Sequence, residues 1–135
     1  MPRVAELLAR TPGTRVALCH CGSPWDQSDR GLETWRQGLR LLASLPQVSC
    51  KISGLGMFDP GWSRDSIRPI VEHCIDLFGP RRCMFGSNFP VDSLYASFAR
   101  VWSAYDEITS SLDPTSRARL KSGTAREFYR IDAAN

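Results

Sequence analysis

Three polar side chains interrupt apolar stretches of this 135-residue chain in comparable places: His20, Lys51 and Asn88. His20 follows Val16-Ala17-Leu18-Cys19 and precedes Cys21-Gly22-Ser23-Pro24; Lys51 lies inside Val48-Ser49-Cys50-Lys51-Ile52. Asn88 follows Cys83-Met84-Phe85-Gly86-Ser87 and precedes Phe89-Pro90. An imidazole at the end of a strand is open to a ligating or a structural role. An ammonium group inside an apolar strand must pair or reach the sheet mouth, because burying it alone is costly. Lys51 therefore anchors a substrate carboxylate or polarises a carbonyl, or it is consumed by an ion pair beneath the loop. The Asn88 amide can orient a water or bond a substrate oxygen, but it cannot take a proton at neutral pH. Ser53 and Ser87 end two of the same segments as candidate hydrogen-bond donors to a ligand, and neither has the G-x-S-x-G setting of a nucleophile. Trp25, Phe58, Trp62 and Phe89 fall in loops at the same face, as a wall around a ring-shaped ligand or as loop packing.

Strands have to deliver these residues. Cys83–Gly86 lacks polar alternation, as expected where helices cover both faces of a parallel sheet. The spacing predicts further strands at Arg15–His20 and Gln47–Ser53, with a fourth hidden around Leu55–Phe58. Helices are predicted at Pro2–Arg10, from a Ser28 or Asp29 cap to about Ser44, and from Ser63 onward with Pro69 in its first turns or at a kink. Two more are predicted at Ser93–Ser110 and from Asp113-Pro114 to Phe128-Tyr129. The pattern is α/β with parallel strands, in one domain over residues 1–135 and without a linker. Ligands of such folds sit at the carboxyl ends of the strands.

Four segments, in order, resemble the amidohydrolase-related family: His20-Cys21-Gly22-Ser23-Pro24, Lys51-Ile52-Ser53-Gly54-Leu55-Gly56, Phe85-Gly86-Ser87-Asn88-Phe89-Pro90 and Ala125-Arg126-Glu127-Phe128-Tyr129. The likeness runs from about Arg15 to Asp132. It implies the C-terminal half of a (β/α)8 TIM barrel, since a whole barrel takes about 250 residues. It further implies a hydrolase that opens a lactone or similar cyclic ester with activated water. His20 matches the family's fifth-strand His, which binds one divalent metal, zinc or manganese, or the substrate carbonyl. Asn88 stands where the family usually has an Asp that serves as general base and metal ligand. The first-strand H-x-H pair has no counterpart, because the chain's two histidines are His20 and His73. The matching segments belong to strands five to eight, so strands one to four would lie upstream. Two open sheet edges would then favour a homo-oligomer or a complementary half as partner. Loss of the base and of H-x-H also admits a non-catalytic module that binds ligand or assembles.

Composition narrows the alternatives. The formal net charge of +3 comes from 17 basic and 14 acidic residues without a basic stripe, which argues against nucleic acid as partner. No apolar run approaches a membrane span of about 20 residues, and a cytoplasmic location is expected with a small-molecule substrate. The five cysteines read as reduced core thiols. A zinc site from Cys19, His20 and Cys21 is disfavoured, because strand alternation would send His20 to the opposite side. Gly54-Leu55-Gly56 lacks a dinucleotide fingerprint, with Asp59 where the third glycine belongs. His73 falls between the apolar positions of its helix, where solvent is expected.

Overall fold

The computed structural model describes residues 1–131, so Asp132, where the resemblance ends, lies outside the described residues. Helix α1 (Pro2–Ala9) leads into strand β1 (Val16–Leu18), then α2 (Asp29–Ala43), β2 (Val48–Ile52), α3 (Arg64–Phe78) and β3 (Cys83–Phe85). Helices α4 (Phe98–Ile108), α5 (Pro114–Ala118) and α6 (Thr124–Tyr129) follow, with a π-helical turn at Arg119–Gly123 joining the last two. The strands form one parallel sheet in the order β1-β2-β3, with Val16 opposite Val48, and Lys51 opposite Met84. Parallel neighbours need crossover connections, and α2 and α3 supply them.

Capping fixes where the crossover helices start. The Ser28 hydroxyl accepts from the Gly31 amide at 3.1 Å, and Ser63 and Ser66 cap each other's backbone at the head of α3. Pro69 sits exposed in the second turn of α3, in its solvent face. The apolar faces then close on the sheet. Trp35, Leu39 and Leu42 of α2 and Ile67, Ile70, Val71, Cys74 and Phe78 of α3 are buried against Val48, Cys50, Ile52, Cys83 and Phe85. Lys51 and Met84 face the opposite side, which in a barrel is the interior.

Five expectations are corrected. The fourth strand around Leu55–Phe58 does not form; Gly54, at φ +67°, turns the chain into a 3-10 turn at Leu55–Met57. The chain holds three strands among the described residues. β1 stops at Leu18, because His20, Cys21, Gly22 and Ser23 all take positive φ, and strand alternation therefore does not govern His20. The fourth helix starts at Phe98 with Ser97 as its cap rather than at Ser93, leaving Leu94 79% exposed. Cys19 is exposed, whereas Cys21, Cys50, Cys74 and Cys83 are fully buried free thiols. His73 is half-buried against Trp35 rather than solvated, and burial lowers its pKa.

Candidate active site at the strand ends

The carboxyl ends of the three strands bring together most of the polar residues singled out above. His20 Nδ1 lies 3.0 Å from Ser53 Oγ, joining the end of β1 to the end of β2. The contact allows two states. If the serine hydroxyl donates to Nδ1, Nε2 carries the proton and can donate to a carbonyl; if Nδ1–H donates, Nε2 is a free lone pair able to ligate. Ser53, expected to face a ligand, is instead fully buried, and its hydroxyl orients the imidazole.

The backbone that presents His20 is strained. His20 (φ +54°), Cys21 (φ +53°), Gly22 (φ +71°) and Ser23 (φ +61°) are successive left-handed residues. Such conformations persist for non-glycine residues when their surroundings over-determine them. Here the Trp35 indole donates to the Cys21 carbonyl at 2.7 Å, Ser23 N–H donates to the His20 carbonyl at 2.8 Å, and the Cys21 thiol is sunk in the core. The adjacent Cys50 thiol and burial hold the Cys21 thiol well above its usual pKa, so it is a neutral anchor rather than a nucleophile.

Lys51 reaches the same mouth from inside β2. A Cβ at Gly86 would fall 2.7 Å from Lys51 Cε and 3.3 Å from Ser53 Cβ, so the lysine stem crosses the end of β3 where glycine leaves space. Its ammonium has no carboxylate partner among the described residues, so the alternative of an ion pair beneath the loop is not formed there. Gly54 is as close on the other side: a Cβ there would sit 2.6 Å from His20 Nδ1 and 2.9 Å from Met57 Cε. Met57 in turn meets Asn88, whose Nδ2 donates to Met57 Sδ at 3.6 Å and to Asp92 Oδ1 at 2.9 Å. Asn88 itself is left-handed, at φ +57°, a conformation asparagine tolerates.

Two expected ligand residues are placed otherwise. The Ser87 hydroxyl accepts from the Phe89 amide at 3.3 Å and closes a local turn. Trp25 is 66% exposed and packs edge-on against Phe58 at 4.8 Å, while Trp62 joins the helix-side core and Phe89 meets Phe98. The four aromatics do not make one wall. Two contributors were missed by the sequence reading. Met57 looked like loop, and Tyr105 looked like one more apolar position of its helix. The buried Tyr105 hydroxyl lies 3.3 Å from the carbonyls of both Ile52 and Gly86, tying β2 to β3 just beneath the site. Burial raises its pKa well above the usual phenol value.

The cavity of about 470 Å³ beside α2 is lined by Met1, Trp25, Gly38 and Leu41, and another of about 270 Å³ lies at the opposite end of the sheet by Arg15, Gln47 and Arg82. Neither includes His20, Lys51 or Asn88. The polar groups converge at the strand ends, outside these clefts.

The family model described as amidohydrolase matches residues 1–131, nearly the whole chain. The chain belongs to the amidohydrolase family. Among curated relatives, this amidohydrolase is 41% identical to the uncharacterized protein y4mH of Sinorhizobium fredii, over 97% of the chain and 44% of the relative. It is 36% identical to an L-fucono-1,5-lactonase of Burkholderia multivorans, over 97% of the chain and 48% of the relative. A crystal structure of an amidohydrolase from Burkholderia multivorans with bound zinc superimposes with a TM-score of 0.90 at 37% identity, over 97% of this chain and 49% of that one. Parallel strands alternating with helices thus belong to an amidohydrolase TIM barrel. The chain spans about half the length of the relatives it matches.

Zinc in that neighbour raises the question of whether this amidohydrolase holds a metal with its own side chains. Among the described residues no three His, Cys, Asp or Glu side chains converge as ligands. His20 offers one imidazole nitrogen, Asn88 offers a neutral amide, and the Asp92 carboxylate is turned onto that amide. A closed set for zinc needs about four donors and an open catalytic one about three. The described residues do not make a metal centre alone, and no step below runs through one.

Proposed function

We propose that the chain supplies part of a lactonase-type hydrolase site for a sugar-like or carboxylated cyclic ester, such as a sugar 1,5-lactone. The observation that carries this reading is the His20 imidazole held by Ser53 at the end of one strand and an unpaired Lys51 reaching the end of the next, in a chain related to proteins named L-fucono-1,5-lactonase. His20 and Lys51 bind and polarise the ring carbonyl, which makes its carbon the target of attack. Asn88 positions the attacking water through its amide oxygen, and proton transfer falls to another group because an amide cannot take it. Attack and collapse break the ring C–O bond and give the hydroxy acid. In a completed barrel, His20 is the group placed to lend one ligand to a divalent ion. If β3 corresponds to the eighth strand, its unbroken parallel neighbours are the seventh and sixth, so His20 ends the sixth strand and not the fifth.

A sugar 1,5-lactam, the hydrolysis-resistant counterpart of the lactone, tests where the ligand sits. Titrated into the 15N-labelled chain, it should shift resonances of Cys19–Gly22, Ser53–Met57 and Gly86–Asp92. Shifts confined to Arg15, Gln47, Arg82 and Phe128 at the opposite end would place binding elsewhere and defeat the reading. Binding at the strand ends without any ring opening in a completed barrel would favour the non-catalytic module.

A further inference from the structure

We propose that Asp92 is a positioning residue of this site: its carboxylate locks the Asn88 amide with Nδ2 turned inward, leaving Asn88 Oδ1 as the acceptor presented to ligand or water. The proposal rests on the strand-end reading above and names a residue that reading does not use.

Asp92 is 4% exposed, yet no lysine or arginine pairs with it among the described residues. A buried carboxylate without a cation is costly, so its remaining partners matter. It does not cap the following helix, since Ser97 does that. Its side chain accepts from Asn88 Nδ2 at 2.9 Å, and its backbone N–H donates to the Asn88 carbonyl at 3.1 Å. Residues 88 and 92 are thus joined twice. The second Nδ2 hydrogen points to Met57 Sδ at 3.6 Å. Flipping the amide would set its oxygen against the carboxylate and the thioether, both acceptors, so one orientation is strongly preferred. Asn88 Oδ1 accepts from no protein group among the described residues and is not sealed off from solvent.

The arrangement sets a carboxyl group at position 92 against an amide at position 88. A consequence is that aspartate at 88 is unwelcome as long as Asp92 remains. Two carboxyl groups at hydrogen-bond distance cannot both ionise, so one would hold a proton well above the usual range.

The test uses Asp92→Asn, Asn88→Asp and the exchanged double variant N88D/D92N. In the wild-type chain one Asn88 Nδ2 proton should resonate downfield and exchange slowly with water, because the Asp92 carboxyl group holds it. His20→Ala should leave that signature in place. Asp92→Asn should move it upfield, and Asp59→Asn should not. Lactam affinity should fall about tenfold in each single variant and return to within about threefold of wild type in the exchanged pair, a recovery that loss of packing alone does not produce. An Asn88 amide proton unmoved in Asp92→Asn, affinity unchanged in that variant, or losses that simply add in the double variant would overturn the proposal. If the wild-type chain binds no lactam, the functional reading fails, while the amide shift and its exchange rate still decide the Asn88–Asp92 pairing.

Discussion

Tyr105→Ala is expected to destabilise the chain by about 3–5 kcal/mol, the range for removing a large buried ring. Its ring is 1% exposed and stacks on Phe85 at 4.3 Å with planes 4° apart, and Trp102 meets it edge-on at 5.9 Å. The loss has two parts that a second variant separates. Tyr105→Phe keeps the ring and removes only the hydroxyl shared between the Ile52 and Gly86 carbonyls, which should cost about 1–2 kcal/mol. Small domains have roughly 5–15 kcal/mol in total, so the alanine variant approaches unfolding whereas the phenylalanine variant stays folded. Urea titrations of the three proteins measure the difference. Equal losses in the two variants would mean that the ring is not the keystone of the β2–β3–α4 contact.

Gly54→Ala should damage both fold and site. A left-handed conformation costs an ordinary residue about 1–2 kcal/mol, and Gly54 sits at φ +67°. The added carbon would also meet His20 Nδ1 at 2.6 Å, closer than nonbonded atoms approach, so the imidazole has to leave its place beside Ser53. A total of about 2–3 kcal/mol is expected from the two effects together. Thermal melts read the stability loss, and the His20 ring resonances read the displacement. Gly61→Ala is the control, because its nearest contact would be Asp59 Oδ1 at 4.0 Å in an exposed loop; it should change stability by less than about 0.5 kcal/mol. A Gly54→Ala chain that melts like that control with an unmoved His20 would contradict the close packing described here.

The order of strands and helices was legible because apolar spacing and caps agree along most of the chain. Ser28, Ser63 and Asp113 cap as their positions suggest, and Ile67 to Phe78 bury on schedule. The errors cluster where local turns override periodicity. Nothing in the spacing of Cys19, His20 and Cys21 signals a run of left-handed residues, since that run is held by Trp35 from a distant helix. Leu55–Met57 is apolar enough for a strand, and only the φ of Gly54 diverts it. His20, Lys51 and Asn88 were found because each breaks an apolar segment. In the sequence Asp92 is only an acid four residues after Asn88, and the folded loop is what shows that its carboxylate is spent on the amide. Ser53 is legible as a strand-end hydroxyl but its partner is not, because sequence does not reveal that the His20 ring folds over the end of β2.

The decisive measurement is the rate of lactone opening. The chain, combined with the N-terminal α/β units of a related Burkholderia lactonase to complete the barrel, is assayed on a sugar 1,5-lactone against His20→Ala and Lys51→Met. Hydrolysis above the buffer rate is expected, falling by about 100-fold or more in each variant, the size of one transition-state contact of about 2.7 kcal/mol. Hydrolysis within about twofold of wild type in both variants, or none from a folded mixed barrel, would contradict it.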